Sequence, residues 1–77
     1  MAEPIHLRAR LGVERVLAGR PVGDRVDMRT FLRACGGIHW KSIQEALRRL
    51  EAEGRLQTDG YRRIGSVTVR EPFEAQP

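Results

Sequence analysis

The stretch of residues 40–53 constrains the fold of this chain more than any other segment. Its apolar residues recur at helical spacing, which places them on one face of an α-helix: Trp40, Ile43, Ala46, Leu47 and Leu50. Gly54 follows directly, and glycine commonly ends a helix because it enters a left-handed conformation at little cost. We therefore predict a helix over residues 40–53 that buries this stripe, with Trp40 as a core anchor.

The first segment of the chain carries both helical and strand signals. Several apolar residues have the spacing of one helix face: Leu7, Leu11, Val13, Val16 and Leu17. Residues 5–11 also alternate between apolar and polar as a strand would, and Gly12 costs roughly 1 kcal/mol inside a helix. Gly19 followed by Pro21 is a helix stop signal. On balance the pattern favours a helix over residues 8–18.

A second helix is predicted over residues 28–35, directly after a minor strand at Arg25 and Val26. Asp27 is suited to be its N-cap because a carboxylate can accept a hydrogen bond from a free backbone N–H of the first turn. Gly36 and Gly37 are expected to end it. Two helices joined by a short, glycine-containing turn form a helix-turn-helix unit.

A β-hairpin is predicted behind the third helix. Asp59 and Gly60 lie between two runs, residues 55–58 and 61–64, and Asp-Gly between alternating runs favours a tight turn. Residues 67–69 continue the strand past a bulge or form a third short strand, and Tyr61 is expected to pack over the hairpin. The order of elements predicts an α+β fold over residues 5–70: a winged helix-turn-helix, with three helices and a C-terminal β-hairpin wing. Residues 71–77 are expected to form a flexible tail.

Composition limits the classes of function. The chain has 77 residues, so it makes one small domain, and its 14 Lys and Arg against 10 Asp and Glu give a net charge of +4. This moderate positive charge is compatible with a nucleic-acid partner without requiring one. Paired catalytic carboxylates, a nucleophile with its base and a phosphate loop are all missing from the sequence, so we expect neither enzymatic activity nor a cofactor.

The cysteine content and the hydropathy of the chain restrict the cellular compartment in which we expect the protein. Cys35 is the single cysteine and the chain has two histidines, which predicts neither a disulfide framework nor a metal site. Cys35 is expected to be a buried thiol. The sequence lacks the roughly 18 consecutive apolar residues that a membrane helix needs. These features lead us to expect a cytoplasmic protein without a membrane span.

The face of the third helix opposite its apolar stripe is polar. It carries these candidate DNA-contacting residues: Lys41, Gln44, Glu45 and Arg48, with Ser42 and Arg49 on one shoulder. An α-helix fits the major groove of B-DNA, where Gln can bind adenine, Lys can bind guanine and Glu can accept from cytosine. Arg48 is expected to meet a guanine or the backbone. The solvated face of an ordinary surface helix is the alternative interpretation of the same pattern.

Candidate phosphate contacts flank this helix. Gly60 at the predicted turn would let the backbone approach a phosphate, and Arg62 or Arg63 can enter the minor groove or pair with phosphate. Because neighbouring strand residues point to opposite faces, only one of these two arginines is expected to face DNA. The remaining candidates are His39 at the helix start and arginines near the second helix: Arg20, Arg25 and Arg29.

Residues 27–64 resemble a known family. The match is close over residues 43–56, which contain the run ALRRLEAEG and are similar to the DNA-reading segment of winged-helix bacterial repressors of the gluconate-repressor type. The resemblance implies DNA-contacting positions for three residues: Lys41, Ser42 and Gln44. It also implies that Gly60 is the glycine of the wing tip. The chain departs from the family at Trp40 and at Gln44, where family members carry arginines.

These observations predict sequence-specific binding of double-stranded DNA by a small, repressor-like transcription regulator. Residues 40–53 would be the recognition helix in the major groove, and the wing would lie on the backbone or in the minor groove. We expect a homodimer that reads a two-fold site, formed through the first helix or the C-terminal tail, without a small-molecule effector. The alternative function is a protein-interaction module of the same fold, with an exposed patch at Trp40, Tyr61 and Phe73.

Overall fold

The computed structural model describes residues 5–74 and shows a small α+β domain. Its three helices and three strands follow one another along the chain as α1 (Ile5–Leu17), β1 (Arg25–Asp27), α2 (Met28–Ala34), α3 (Trp40–Ala52), β2 (Leu56–Asp59) and β3 (Ser66–Val69). Each element predicted from residues 8–18, 25–26, 28–35 and 40–53 is present, with bounds that differ by a few residues. The order of elements is compatible with a winged helix.

The sheet is antiparallel, with β3 between β1 and β2. In this register Val67 lies opposite Val26 of β1 and opposite Thr58 of β2. The valines Val26, Val67 and Val69 are buried, as expected for β-branched side chains on the covered face of a sheet. Strand β3 therefore joins the N-terminal and C-terminal halves of the domain.

The predicted two-residue turn at Asp59 and Gly60 is wrong. Asp59 is the last residue of β2 and lies opposite Ser66, so a loop of residues 60–65, called the β2–β3 loop below, connects the strands. Gly60 has a φ of +124°, and a Cβ there would lie 2.2 Å from the carbonyl oxygen of Arg63. The chain thus makes a tight bend between Gly60 and Arg63 before β3 begins. The Asp-Gly pair in the sequence does not predict this bend.

The loop also changes three expectations about its side chains. Arg62 and Arg63 are not in a strand, so strand alternation does not decide which of them faces outward. Tyr61 is 92% exposed and does not pack over the hairpin. Residues 67–69 belong to β3, the strand that pairs with β2, and Ile64 is the buried residue of the loop.

The core lies between α1, α3 and the covered face of the sheet. Helix α3 contributes Ile43, Ala46, Leu47 and Leu50, all buried as predicted. Trp40 is only half-buried and lies outside this core, so its predicted role as a core anchor is wrong. It occupies the first turn of α3, and Arg63 of the β2–β3 loop lies over its ring, as described below.

The C-terminal segment packs against the domain as far as the structure describes it. Phe73 is buried, its carbonyl accepts from the Gly19 N–H at 3.0 Å, and the Arg55 guanidinium lies 4.1 Å from its ring centroid. Residues 71–74 therefore belong to the domain, and the boundary predicted at residue 70 is corrected. Residues 75–77 of the predicted tail lie outside the described residues.

Helix α2 begins and ends close to other elements. Asp27 occupies its N-cap position, but its side chain makes no capping hydrogen bond. The Met28 N–H at the helix start donates instead to the Gly65 carbonyl at 2.9 Å, which joins α2 to the end of the β2–β3 loop.

Within residues 5–74, none of the helices has the length and apolar character needed to cross a bilayer.

Gly12 lies inside α1 because α1 and α2 approach closely there. A Cβ at Gly12 would lie 2.6 Å from Sγ of the buried Cys35. Contacts this short force neighbouring atoms to move. The glycine that weakens the helical pattern of the sequence is thus a packing requirement of the fold.

We expect Gly12→Ala to destabilise the domain by up to about 2 kcal/mol. Overpacking costs about 1–3 kcal/mol, and the better helix propensity of alanine offsets roughly 1 kcal/mol. In a Cys35→Ala background the same substitution should cost less, because the sulfur it meets is gone. Urea unfolding of the four proteins of this double-mutant cycle measures the difference. Equal costs in both backgrounds would rule out the proposed contact.

Candidate nucleic-acid interface

The buried stripe of α3 leaves its opposite face exposed beside the β2–β3 loop. We call these together the α3–loop surface, which consists of Lys41, Gln44, Glu45, Arg48 and Arg49 of α3 and of Tyr61, Arg62 and Arg63 of the loop. Ser42 is half-buried at its margin. The structure therefore brings the site residues predicted on the helix and on the predicted wing into one surface.

Gln44 connects the two parts of this surface. Its Nε2 donates to the Arg62 carbonyl at 3.0 Å, and its Oε1 accepts from the Ile64 N–H at 2.9 Å. The side chain thus replaces the missing strand partners of the loop backbone, which needs such partners wherever water does not reach it. Both ends of the Gln44 amide are occupied within the protein.

Arg48 and Glu51 hold the end of β2 next to the loop. Arg48 Nη1 donates to the Thr58 hydroxyl at 2.9 Å, and its Nη2 lies 3.4 Å from the Tyr61 carbonyl. Glu51 accepts from the Thr58 N–H at 2.8 Å. That backbone hydrogen bond, more than the hydroxyl and Arg48, lowers the pKa of Glu51 below its ordinary value. Charged and polar side chains of α3 therefore determine where the loop begins.

Trp40 lies next to three polar side chains, those of Arg63, Lys41 and His39. The Arg63 guanidinium lies 4.4 Å from a Trp40 ring centroid and Lys41 Nζ lies 5.8 Å from it, distances at which cations are attracted to an indole. The His39 ring stacks on Trp40 with centroids 5.7 Å apart. His39 is the N-cap residue, since its Nδ1 accepts from the Lys41 N–H at 3.2 Å. Its predicted phosphate contact stays a prediction.

A notch of about 150 Å³ separates α2 from this surface. It is lined by Met28, Leu32, Trp40, Gln44, Arg63 and Ile64. The α2 arginines Arg29 and Arg33 directly follow two of these lining residues in sequence, and both are exposed. Arg29 is one of the site residues predicted from the sequence, whereas no sequence pattern selects Arg33.

Three arginines elsewhere in the described part of the protein are ion-paired. Arg10 contacts Glu14 and Glu53, while Arg20 contacts Asp24 at 3.0 Å. Arg25 lies 3.3 Å from Asp59 and donates to the Ser66 hydroxyl, and its side chain is 69% exposed. Arg20 and Arg25, which the sequence suggests as phosphate clamps, therefore both have an acidic partner within the protein. On the α3–loop surface, Glu45 pairs with Arg49 at 3.0 Å.

Several cations on and beside the α3–loop surface make no ion pair with any described residue: Arg29, Arg33, Lys41, Arg62 and Arg63. Arg63 is nevertheless positioned by Trp40. In the part of the chain that the structure describes, no three His, Cys, Asp or Glu side chains are grouped as metal ligands would be. The unpaired cations of this surface can bind anions, and its polar side chains can bind hydrogen-bond donors and acceptors.

Thr58 and Glu51 are parts of this surface that no sequence pattern indicates. Tyr61 is exposed, as the exposed patch of the alternative function requires, and does not pack over the hairpin. The contacts of Thr58 and Glu51 depend on the path of the β2–β3 loop, and no local pattern in the sequence indicates that path.

No protein-family model, curated protein or solved structure matches this chain. The resemblance to gluconate-repressor type regulators therefore stays an expectation. What the protein does must be argued from the residues of the α3–loop surface.

We expect acid to loosen the connection between α3 and β2. A Glu whose folded pKa is lowered stabilises the fold above its ordinary value of about 4.3, and this contribution is lost as pH falls through the folded pKa. Glu51→Gln should therefore reduce stability at pH 7 and flatten the decline in acid, as measured by urea unfolding at several pH values. Glu71→Gln is the matched control, because Glu71 is an exposed glutamate whose side chain makes none of the described hydrogen bonds or ion pairs. A decline of the same steepness in Glu51→Gln and wild type would contradict the role of Glu51.

Proposed function

We propose that this chain binds double-stranded DNA sequence-specifically, as a small, repressor-like transcription regulator with a winged helix-turn-helix fold. Helix α3 would lie in the major groove, and the β2–β3 loop would act as the wing on the backbone or in the minor groove. The similarity of residues 43–56 to gluconate-repressor type regulators supports the same assignment. The proposal rests on the α3–loop surface, not on a match to a known protein.

A group of unpaired cations on one surface carries this proposal. Lys41, Arg62 and Arg63 lie on the α3–loop surface without acidic partners in residues 5–74, whereas Arg10, Arg20 and Arg25 on other elements are ion-paired. In the same range, unpaired arginines also occur on other elements, such as Arg8 and Arg15 of α1. DNA phosphates would supply partners for the cations of the α3–loop surface, and electrostatic contacts of this kind position a protein on the duplex. An α-helix beside such cations has the dimensions of a major-groove reader.

Glu45 supports specific rather than indiscriminate binding. It is an acidic residue on an otherwise cationic surface, and it is about half exposed while paired with Arg49. A carboxylate weakens attraction to phosphate at every DNA sequence. In the major groove it gains a favourable partner only where a base presents a donor, such as the amino group of cytosine.

A protein-interaction module is the second candidate function. The observation that favours it is Tyr61, which is 92% exposed in the β2–β3 loop. Leu32, which is 39% exposed, and Trp40 line the notch between α2 and the α3–loop surface. The patch predicted from sequence is reduced, because Phe73 is buried and Trp40 is covered by Arg63. Aromatic and arginine side chains are common anchors of protein interfaces.

We also propose that the DNA-binding form is a homodimer formed through α1. Leu7 and Leu11 are 46% and 37% exposed one turn apart on that helix, whereas the described part of the C-terminal segment is folded onto the domain. Sedimentation equilibrium should show a dimer that Leu11→Glu weakens. A monomer at all accessible protein concentrations would contradict this arrangement.

Salt dependence tests the DNA-binding proposal. We expect affinity for a labelled duplex, measured by fluorescence anisotropy, to fall steeply with salt, with about 0.9 units of slope for each phosphate contact. Arg62→Ala should lower the slope by about one contact. Arg70→Ala is the matched control, because Arg70 is an exposed arginine after β3 that belongs neither to the α3–loop surface nor to α1. Absent binding, or binding that salt does not weaken, would favour the protein-interaction module.

A further inference from the structure

The orientation of the Gln44 amide is fixed by two backbone groups of opposite character. One is a carbonyl, at Arg62, and the other is an N–H, at Ile64. Rotating the amide by half a turn would place N–H against N–H and oxygen against oxygen. The observed orientation is therefore the one that satisfies both partners, and it uses the donor and the acceptor together.

Reading an adenine requires the same two groups. The adenine edge presents the N7 acceptor and the N6 donor, so a bidentate contact needs the oxygen and the nitrogen of one amide. Nε2 and Oε1 of Gln44 each keep one further hydrogen-bonding position, but these two positions point to opposite sides of the amide and cannot form a bidentate contact together. An adenine would therefore compete with Arg62 and Ile64 for the edge of the amide that carries both groups. The loop backbone would then lose two hydrogen bonds at once.

Arg48 is engaged in a similar way. Its guanidinium bonds Thr58 and lies 3.5 Å from the Glu51 carboxylate, so its fork is directed at β2 and the loop. Two of the polar side chains on α3 that were expected to read bases thus hold the β2–β3 loop instead. Lys41 and Glu45 remain as exposed groups whose side chains make no contact with that loop among the described hydrogen bonds and ion pairs.

Lys41 and Glu45 are separated by one helical turn on the same face of α3. Four residues of an α-helix rise about 6 Å, which is close to two base-pair steps of roughly 3.4 Å each. A lysine ammonium donates to O6 and N7 of guanine, and a carboxylate accepts from N4 of cytosine. Both side chains therefore match G·C base pairs that lie two base-pair steps apart.

We propose that α3 reads G·C base pairs, with Lys41 on guanine and Glu45 on cytosine, while Gln44 is a positioning residue that ties the β2–β3 loop to the helix. This inference rests on the DNA-binding function proposed above. It replaces the adenine contact that the sequence suggests for Gln44. Fixing the loop to α3 also sets the distance between Lys41 in the groove and Arg62 on the backbone.

The positioning role is tested first without DNA. Amide hydrogen exchange at Ile64 should accelerate roughly two- to tenfold in Gln44→Met, which keeps the length of the side chain but removes both hydrogen bonds. Gln44→Glu should restore part of the protection, because its carboxylate still accepts from the Ile64 N–H. The Gly65 N–H, bonded to the Asp59 carbonyl at 2.7 Å, is the internal control. Unchanged exchange at Ile64 in Gln44→Met would overturn the positioning role.

Base preference is then tested by selecting bound sequences from random duplex DNA. Wild type should enrich G·C pairs, Lys41→Ala should lose roughly tenfold discrimination for guanine, and Glu45→Gln should shift the paired position from cytosine towards adenine. Gln44→Met should bind more weakly but enrich the same motif. An adenine enriched by wild type and lost in Gln44→Met would overturn the assignment.

The two experiments separate this inference from the function on which it rests. If wild type enriches no sequence and does not bind duplex DNA, the DNA-binding function fails and the base assignments fail with it. The exchange rate at Ile64 still decides the role of Gln44 in that case. If wild type enriches a motif without G·C pairs, DNA binding stands and the roles of Lys41 and Glu45 are overturned.

Discussion

Burial of the apolar stripe on α3 is the constraint on which the rest of the structure depends. Ile43, Leu47 and Leu50 are fully buried against the remainder of the core, and each such side chain contributes about 1.5–3 kcal/mol relative to exposure. Because these residues fix the rotation of α3 about its axis, they also decide that Lys41 and Glu45 point away from the core. The packing of the apolar face of α3 therefore determines which polar side chains this helix exposes.

The β2–β3 loop depends on α3 in a second, polar way. A domain of this size buries only about 60% of its chain surface, so little apolar surface is left over to order a loop. Ile64 is the buried apolar residue of the loop, and Gln44 and Arg48 supply further contacts through hydrogen bonds to its backbone and to β2. Hydrogen bonds of this kind contribute individually about 0.5–1.5 kcal/mol. Together they make the helix and the loop one surface.

Sequence patterns predicted the parts of the fold that local spacing determines. The stripe of α3 could be predicted because helical periodicity is a property of neighbouring residues. The prediction that Trp40 anchors the core was wrong, because periodicity gives the direction of a side chain but not where the core ends. The predicted turn at Asp59 and Gly60 was wrong because contacts with α3 set the path of the loop. The two Gln44 hydrogen bonds join residues that are eighteen and twenty positions apart in the sequence. The order of elements in the sequence predicted that α3 and the segment after β2 lie together, but not the hydrogen bonds that join them.

In the proposed complex with DNA, the use of Gln44 and Arg48 to hold the loop would have two opposing effects on binding. It removes side chains that would otherwise read bases, which narrows the contacts available for specificity. It also orders the loop before binding, and immobilising a flexible side chain on association costs about 0.5–1.5 kcal/mol. A small domain with few readers gains most from this second effect, because Arg62 then approaches the backbone from a fixed position relative to Lys41. Specificity and affinity in such a surface come from different residues, joined through Gln44.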